Sequence, residues 1–133
     1  MQHWDWVVLN RLGYLEGQTT KYISRWRHKG TPVQDLEKAL HYAEKLAEVY
    51  QSGLHRPYGN RQPVQGLREM HNLYQLTPAE AMVFKVLAEY NSLEQLRSVA
   101  DCLYNILSEV LKAAQANTSA GRYPPSMAGE PPQ

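Results

Sequence analysis

The chain is nearly devoid of cysteine, with Cys102 its single thiol. One thiol cannot build an internal disulfide framework, and it excludes a zinc site made from several cysteines. Long apolar runs are also missing. No stretch approaches the ~18 residues of a membrane span, and the opening MQHWDWVV has neither the charged leader nor the apolar core of a signal peptide. The expectation is a soluble, cytoplasmic chain with no membrane partner. An excess of one charge is lacking as well: 14 Lys and Arg stand against 13 Asp and Glu, leaving +1 over 133 residues. Nucleic acid is therefore not an expected partner, because such proteins carry a domain-wide basic excess.

Several chemical signatures are absent. The sequence has no GxxxxGK[ST] phosphate loop, no GxGxxG and no GxSxG elbow. Its histidines form neither HxH nor HExxH, so no protein-held metal is expected. Helical nucleotide pyrophosphatases hold magnesium through paired ExxE and ExxD motifs. Here Glu44 and Glu48 stand four apart, and no such pair occurs.

What is present is helical. Thr31-Pro32-Val33-Gln34, Thr77-Pro78-Ala79-Glu80 and Ser92-Leu93-Glu94-Gln95 are start signals, each pairing a hydroxyl cap with a Gln or Glu three residues on. Leu36, Leu40, Ala43, Ala47 and Tyr50 then follow helical spacing. So do Leu93, Leu96, Ala100, Leu103, Leu107 and Leu111 through a helix expected to run to Ala116. Pro78 to Tyr90 forms a shorter helix. Upstream, Trp4 to Leu12 and Tyr14 to Arg27 read as two helices, or as one bent near Gly13. No alternating strand pattern survives.

The expected fold is all-α, a small domain of two helical halves joined by a Pro/Gly-rich loop. Its parts are a basic helical segment (1–51), a loop (52–66), a helical hairpin engaged in packing or oligomerisation (67–116) and a disordered tail (117–133). A homo-oligomer is expected because the leucine face of the last helix is long for one thin layer to cover.

The densest basic stretch is Thr20 to Gly30, TKYISRWRHKG, which contains no acid. Residues 1–30 carry five cations against Asp5 and Glu16, whereas residues 77–116 carry three against five acids. An anion site therefore belongs near the N-terminal segment. At about 100° per residue, Leu15, Thr19, Tyr22, Ile23 and Trp26 gather on one side, the expected core side. Gly17, Lys21, Arg25 and His28 line the other, with Lys29 at its edge and Arg27 on a separate flank. Glycine at 17 admits a close ligand, arginine offers a planar fork to phosphate oxygens and lysine a point charge. On spacing alone the stripe reads first as a solvated face, Tyr22 and Trp26 as core anchors, and Asp35 as an acid favouring its helix dipole. His55, Arg56 and Arg61 lie in the loop, where they could close over a ligand, although such loops are commonly connectors.

Gly17 to Leu46, GQTTKYISRWRHKGTPVQDLEKALHYAEKL, resembles the core of a small phage family of nucleotide kinases. That family runs roughly G-N-A-x-K-Y-[IL]-x-R-x-x-x-K, then D-L-x-K-A-x-x-Y. Gly17, Lys21, Tyr22, Ile23, Arg25, Lys29, Asp35, Leu36, Lys38, Ala39 and Tyr42 match. Gln18 stands where the family has asparagine, and Trp26-Arg27 where a small residue and glycine are common.

The resemblance implies a phage-encoded protein that moves a phosphoryl group from a nucleoside triphosphate to a nucleoside monophosphate, with Mg2+ arriving only with the nucleotide. It implies Asp35 and Arg25 as catalytic residues. Gly17, Gln18, Lys21, Tyr22, Arg25, Lys29, Lys38 and Tyr42 become nucleotide or phosphate contacts, with Asp35 orienting Arg25 or accepting a proton. Two rival readings stand beside it: a non-catalytic sponge that sequesters a host signalling nucleotide, and a helical protein-interaction module.

Overall fold

Proline, glycine and hydroxyl caps cut the chain into six helices in the computed structural model, which describes residues 1–55 and 62–119 (117–119 by backbone alone). They are α1 (His3–Leu9), α2 (Tyr14–Arg25), α3 (Pro32–Gln51), α4 (Leu67–Tyr74), α5 (Pro78–Glu89) and α6 (Leu93–Ser119). The fold is all-α, as the periodicity predicts. None of the described helices is long and apolar enough to cross a membrane.

The caps differ in how they work. At α5, Thr77 Oγ1 accepts from Glu80 N at 3.2 Å and Glu80 Oε1 accepts from Thr77 N at 3.0 Å, a complete reciprocal box. At α6, Ser92 Oγ accepts from Gln95 N at 3.3 Å, but the return bond runs from Asn91 N to Gln95 Oε1. At α3, Thr31 makes no side-chain cap bond, so proline at the first helical position carries that start.

The N-terminal region is two separate helices. Arg11 takes a left-handed conformation with φ 56° in the connection between them. The second helix ends at Arg25, two residues short of the expected boundary, and Gly30 at φ +82° completes the reversal into α3. Trp26, Arg27 and His28 are therefore turn residues, and the expected stripe through His28 breaks off at Arg25.

The third helix is the axis of the molecule, packed on one flank by α2 and along another by α6; α5 adds to both α2 and α6. One core runs through Trp6, Ile23, Ala39, Ala43, Leu46, Phe84, Leu87, Leu96 and Leu103. Each of its leucine, isoleucine and phenylalanine side chains contributes roughly 1.5–3 kcal/mol by burial, and the segments before and after the loop share one interior. On α3 the buried line is Leu36, Ala39, Ala43, Leu46 and Val49, rotated from the expected one. Packing from two sides leaves Leu40, Ala47 and Tyr50 half-buried.

The sixth helix covers its leucines within the chain. Leu96, Val99, Leu103 and Leu107 are buried, and only Leu111, 39% exposed, points away. The leucine face thus gives no ground for expecting an oligomer. The helix also runs on to Ser119, past the expected end at Ala116. Residues 120–133, the rest of the expected tail, and Arg56 and Arg61 lie outside the described residues.

Candidate functional site

Three cations surround one aromatic ring. Lys21 Nζ lies 5.3 Å from the centroid of Tyr22, the Arg25 guanidinium carbon 5.4 Å and Lys38 Nζ 5.3 Å. Two come from α2 and one from α3, so the packing of those helices brings them together. Tyr22 is only half-buried. It packs against the core on one side, as its helical position suggests, and its ring is also the platform of this cluster. Among the described residues, neither Lys21 nor Lys38 has an acid within salt-bridge distance. Cations held close without acids repel one another, and the negative face of the ring offsets only part of that cost.

Arg25 is treated differently. Its Nε sits 3.4 Å from Asp35 Oδ2. The Asp35 carboxylate is buried, the residue being 1% exposed in the first turn of α3. The pair is ionic and not a well-formed hydrogen bond, since both atoms lack a hydrogen-bonding partner. This geometry fits an acid that holds the guanidinium in place.

An aromatic ladder leads away from the cluster. Tyr22 stacks on Tyr42 at 6.0 Å with 6° between the planes, and Tyr42 meets Tyr14 edge-on at 6.1 Å. The Tyr14 hydroxyl accepts from Gln18 Nε2 at 3.0 Å. The Tyr42 phenol is held above its ordinary range, first by its hydrogen bond with Tyr14 and then by burial. It remains a neutral donor at physiological pH.

Beside the ladder, α1 and α2 enclose a hollow of about 540 Å³, with Gly17, Gln18 and Lys21 along one wall and His3, Trp4 and Val7 along the other. Tyr14 and Tyr74 also border it. Lys21 thus belongs to both the hollow and the cation cluster. His3 Nε2 lies 2.7 Å from Thr20 Oγ1. That hydroxyl also faces the carbonyls of Glu16 and Gly17, 3.1 and 3.2 Å away. The single hydroxyl proton serves one of these three contacts at a time, and in the neutral imidazole one ring nitrogen donates while the other accepts. Burial, with the Lys21 charge adding, lowers the His3 pKa to about 4, so the ring is neutral near pH 7.

The structure brings Gly17, Gln18, Lys21, Tyr22, Arg25, Asp35, Lys38 and Tyr42 onto one face of the α2–α3 pair. Lys29 is exposed in the turn after α2 and makes none of the contacts described for this group. His28 turns instead toward the carbonyl of Tyr74 at 3.4 Å. His55 does not hang free in the loop: its Nε2 sits 3.1 Å from Glu16 Oε2 and 2.8 Å from the Tyr90 hydroxyl. Tyr90 also donates to Glu16 Oε2, at 2.5 Å, fastening the start of α2 to the end of α5.

His3, Trp4, Val7 and Tyr14 were not marked by sequence reasoning. The available signal was Gly17 itself, a glycine in the interior of a helix with no turn to make. Burial, with the Glu80 charge adding, pushes the Cys102 thiol up, so that side chain is a poor nucleophile.

Residues 8–44 match the model of a family described as a protein of unknown function, DUF3310. The matched stretch contains every member of the cation cluster and of the tyrosine ladder, and it stops short of His3 and Trp4. No curated protein and no solved structure matches the chain.

Proposed function

We propose that the protein binds nucleotides on the α2–α3 face and moves a phosphoryl group from a nucleoside triphosphate to a nucleoside monophosphate. The observation that carries this reading is the convergence of Lys21, Arg25 and Lys38 on the Tyr22 ring, with two of the three lacking an acidic partner among the described residues. An anion with several oxygens relieves their mutual repulsion. The resemblance of Gly17 to Leu46 to the phage nucleotide kinases supplies the reaction. An acceptor phosphate oxygen attacks the γ-phosphorus, the bond to the bridging oxygen breaks, and two diphosphates result.

Phosphoryl transfer asks a protein mainly for alignment and neutralised oxygens. Lys21 and Lys38 supply point charge and Arg25 a planar fork, while Asp35 keeps that fork in register. Magnesium enters with the triphosphate.

The burial of Asp35 favours a second reading. A carboxylate buried beside Arg25 takes no proton from an acceptor, so a nucleotide sponge needs the same cations and no chemistry. Incubation of the pure protein with mixed nucleoside mono- and triphosphates, followed by mass analysis, separates the two. New diphosphate supports transfer. Tight retention without product leaves the sponge. Absence of both retention and product removes nucleotides from the account.

A further inference from the structure

We propose that the hollow between α1 and α2 receives the base and sugar of the nucleotide whose phosphates rest on Lys21, Arg25 and Lys38. The inference depends on the phosphate reading above and adds to it a defined nucleoside pocket, built largely outside the phosphate-binding residues.

Three independent features point there. The first is continuity: Lys21 lines the hollow and also stands over Tyr22, so a ligand can fill the hollow while its phosphates reach the cluster. The volume, about 540 Å³, falls in the range of small-molecule sites.

The second is Gly17. Glycine inside a helix costs about 0.5–1 kcal/mol relative to alanine. Nothing in the fold demands it here. Its φ is not left-handed, and a Cβ would meet only the Val7 methyls, at 3.4 and 3.8 Å, ordinary contact distances. The missing Cβ leaves room beside Val7 on the wall of the hollow, where a ligand could lie against the backbone of α2.

The third is the lining. Trp4 is 70% exposed although it is the kind of side chain that folding normally hides. With Tyr14 it places two aromatic rings at the rim, suited to stacking on a flat heteroaromatic base. Gln18 adds a side-chain amide and His3 a neutral imidazole, the groups that read base edges. A purely apolar ligand would use neither.

The test is calorimetric titration of the full chain with a panel of deoxynucleoside monophosphates and, separately, with inorganic triphosphate. Wild type is compared with Trp4→Ala, Gly17→Ala and Lys21→Ala. Trp4→Ala and Gly17→Ala are expected to weaken nucleotide at least fivefold while leaving triphosphate within twofold, and Gly17→Ala should melt no lower than wild type. Lys21→Ala should weaken both probes. Nucleotide affinity unchanged in Trp4→Ala and Gly17→Ala, but lost in Lys21→Ala, would overturn the pocket and leave the phosphate site standing. An equal loss of both probes in Trp4→Ala would also overturn it, by showing that the side chain serves the phosphate end. No nucleotide binding by wild type would remove the pocket and the proposed function together. Should Gly17→Ala melt lower, Trp4→Ala alone decides.

Discussion

Arg27 Nη1 donates to Glu80 Oε1 at 2.7 Å, tying the turn after α2 to the first turn of α5 across 53 positions of sequence. Glu80 is fully buried and also accepts from Trp26 Nε1 at 2.8 Å and from its own cap at Thr77 N. The guanidinium of Arg27 lies 4.3 Å over the Trp26 ring. Arg27 is thus a strut and not a phosphate ligand. Removing it leaves the buried carboxylate its two neutral donors but no counter-charge, so Arg27→Ala should cost about 1–3 kcal/mol. Urea unfolding measures this, and calorimetry below the transition should show nucleotide affinity retained. A stability change below about 0.5 kcal/mol would mean the pair contributes nothing.

Lys38 and Lys29, both expected as phosphate contacts, should separate cleanly. Lys38 stands over Tyr22, whereas Lys29 lies exposed in the turn. Lys38→Ala should weaken nucleotide binding about tenfold, or ~1.4 kcal/mol, and Lys29→Ala less than twofold at physiological salt. Equal losses that vanish together at high salt would indicate a diffuse field instead of a pocket.

Asp35 should act through its neighbour. Because its carboxylate is buried beside Arg25, Asp35→Asn keeps the shape and removes the charge that holds the guanidinium. If transfer occurs, kcat should fall roughly tenfold to a hundredfold with KM changed much less, the mark of alignment lost as the transition state forms. An increase in KM alone, with kcat intact, would place Asp35 in ground-state binding.

Acid should destabilise the fold through His3. Its pKa is about 4 in the folded chain against the ordinary 6.5, so the unfolded chain binds the extra proton. The contribution is therefore complete above pH 6.5 and is lost as pH falls toward 4, on the order of 2–3 kcal/mol in total. His3→Gln should flatten that part of the stability profile. Lys21→Ala should raise the His3 pKa in an NMR titration, because the Lys21 charge is the second cause of its depression. A His3 that titrates near 6.5 in the folded protein would refute this.

Local signals were legible beforehand and distant pairings were not. Thr77 and Ser92 announce α5 and α6 because a cap is a contact over three residues. Lys21 and Arg25 stood out by their spacing on one helix, whereas Lys38 and Tyr42 were named only through the resemblance, since a contact between two helices leaves no mark in the period of either. Glu80 as the receiver of Trp26 and Arg27 was hidden, and so was Tyr90 on Glu16, 74 positions away. Such pairs leave no periodic trace. Tyr22 was legible as a core-side residue, but not as the ring that Lys38 reaches from α3, because helical periodicity does not say which neighbour covers a face. The His3–Trp4 wall escaped notice because α1 is short and its role comes only from lying against α2.

The position of α3 between α2 and α6 governs the order of events during synthesis. The third helix leaves the ribosome with α2 already present, but Leu96 and Leu103 arrive some fifty residues later. Until then the line through Ala39, Ala43 and Leu46 has no cover on its second side. The nascent chain therefore carries a sticky half-core that a chaperone would recognise, and native closure waits for α6 to emerge. Ribosome-stalled chains ending at Tyr90 should be protease-sensitive in α3, whereas chains with residues 91–119 clear of the exit tunnel should not.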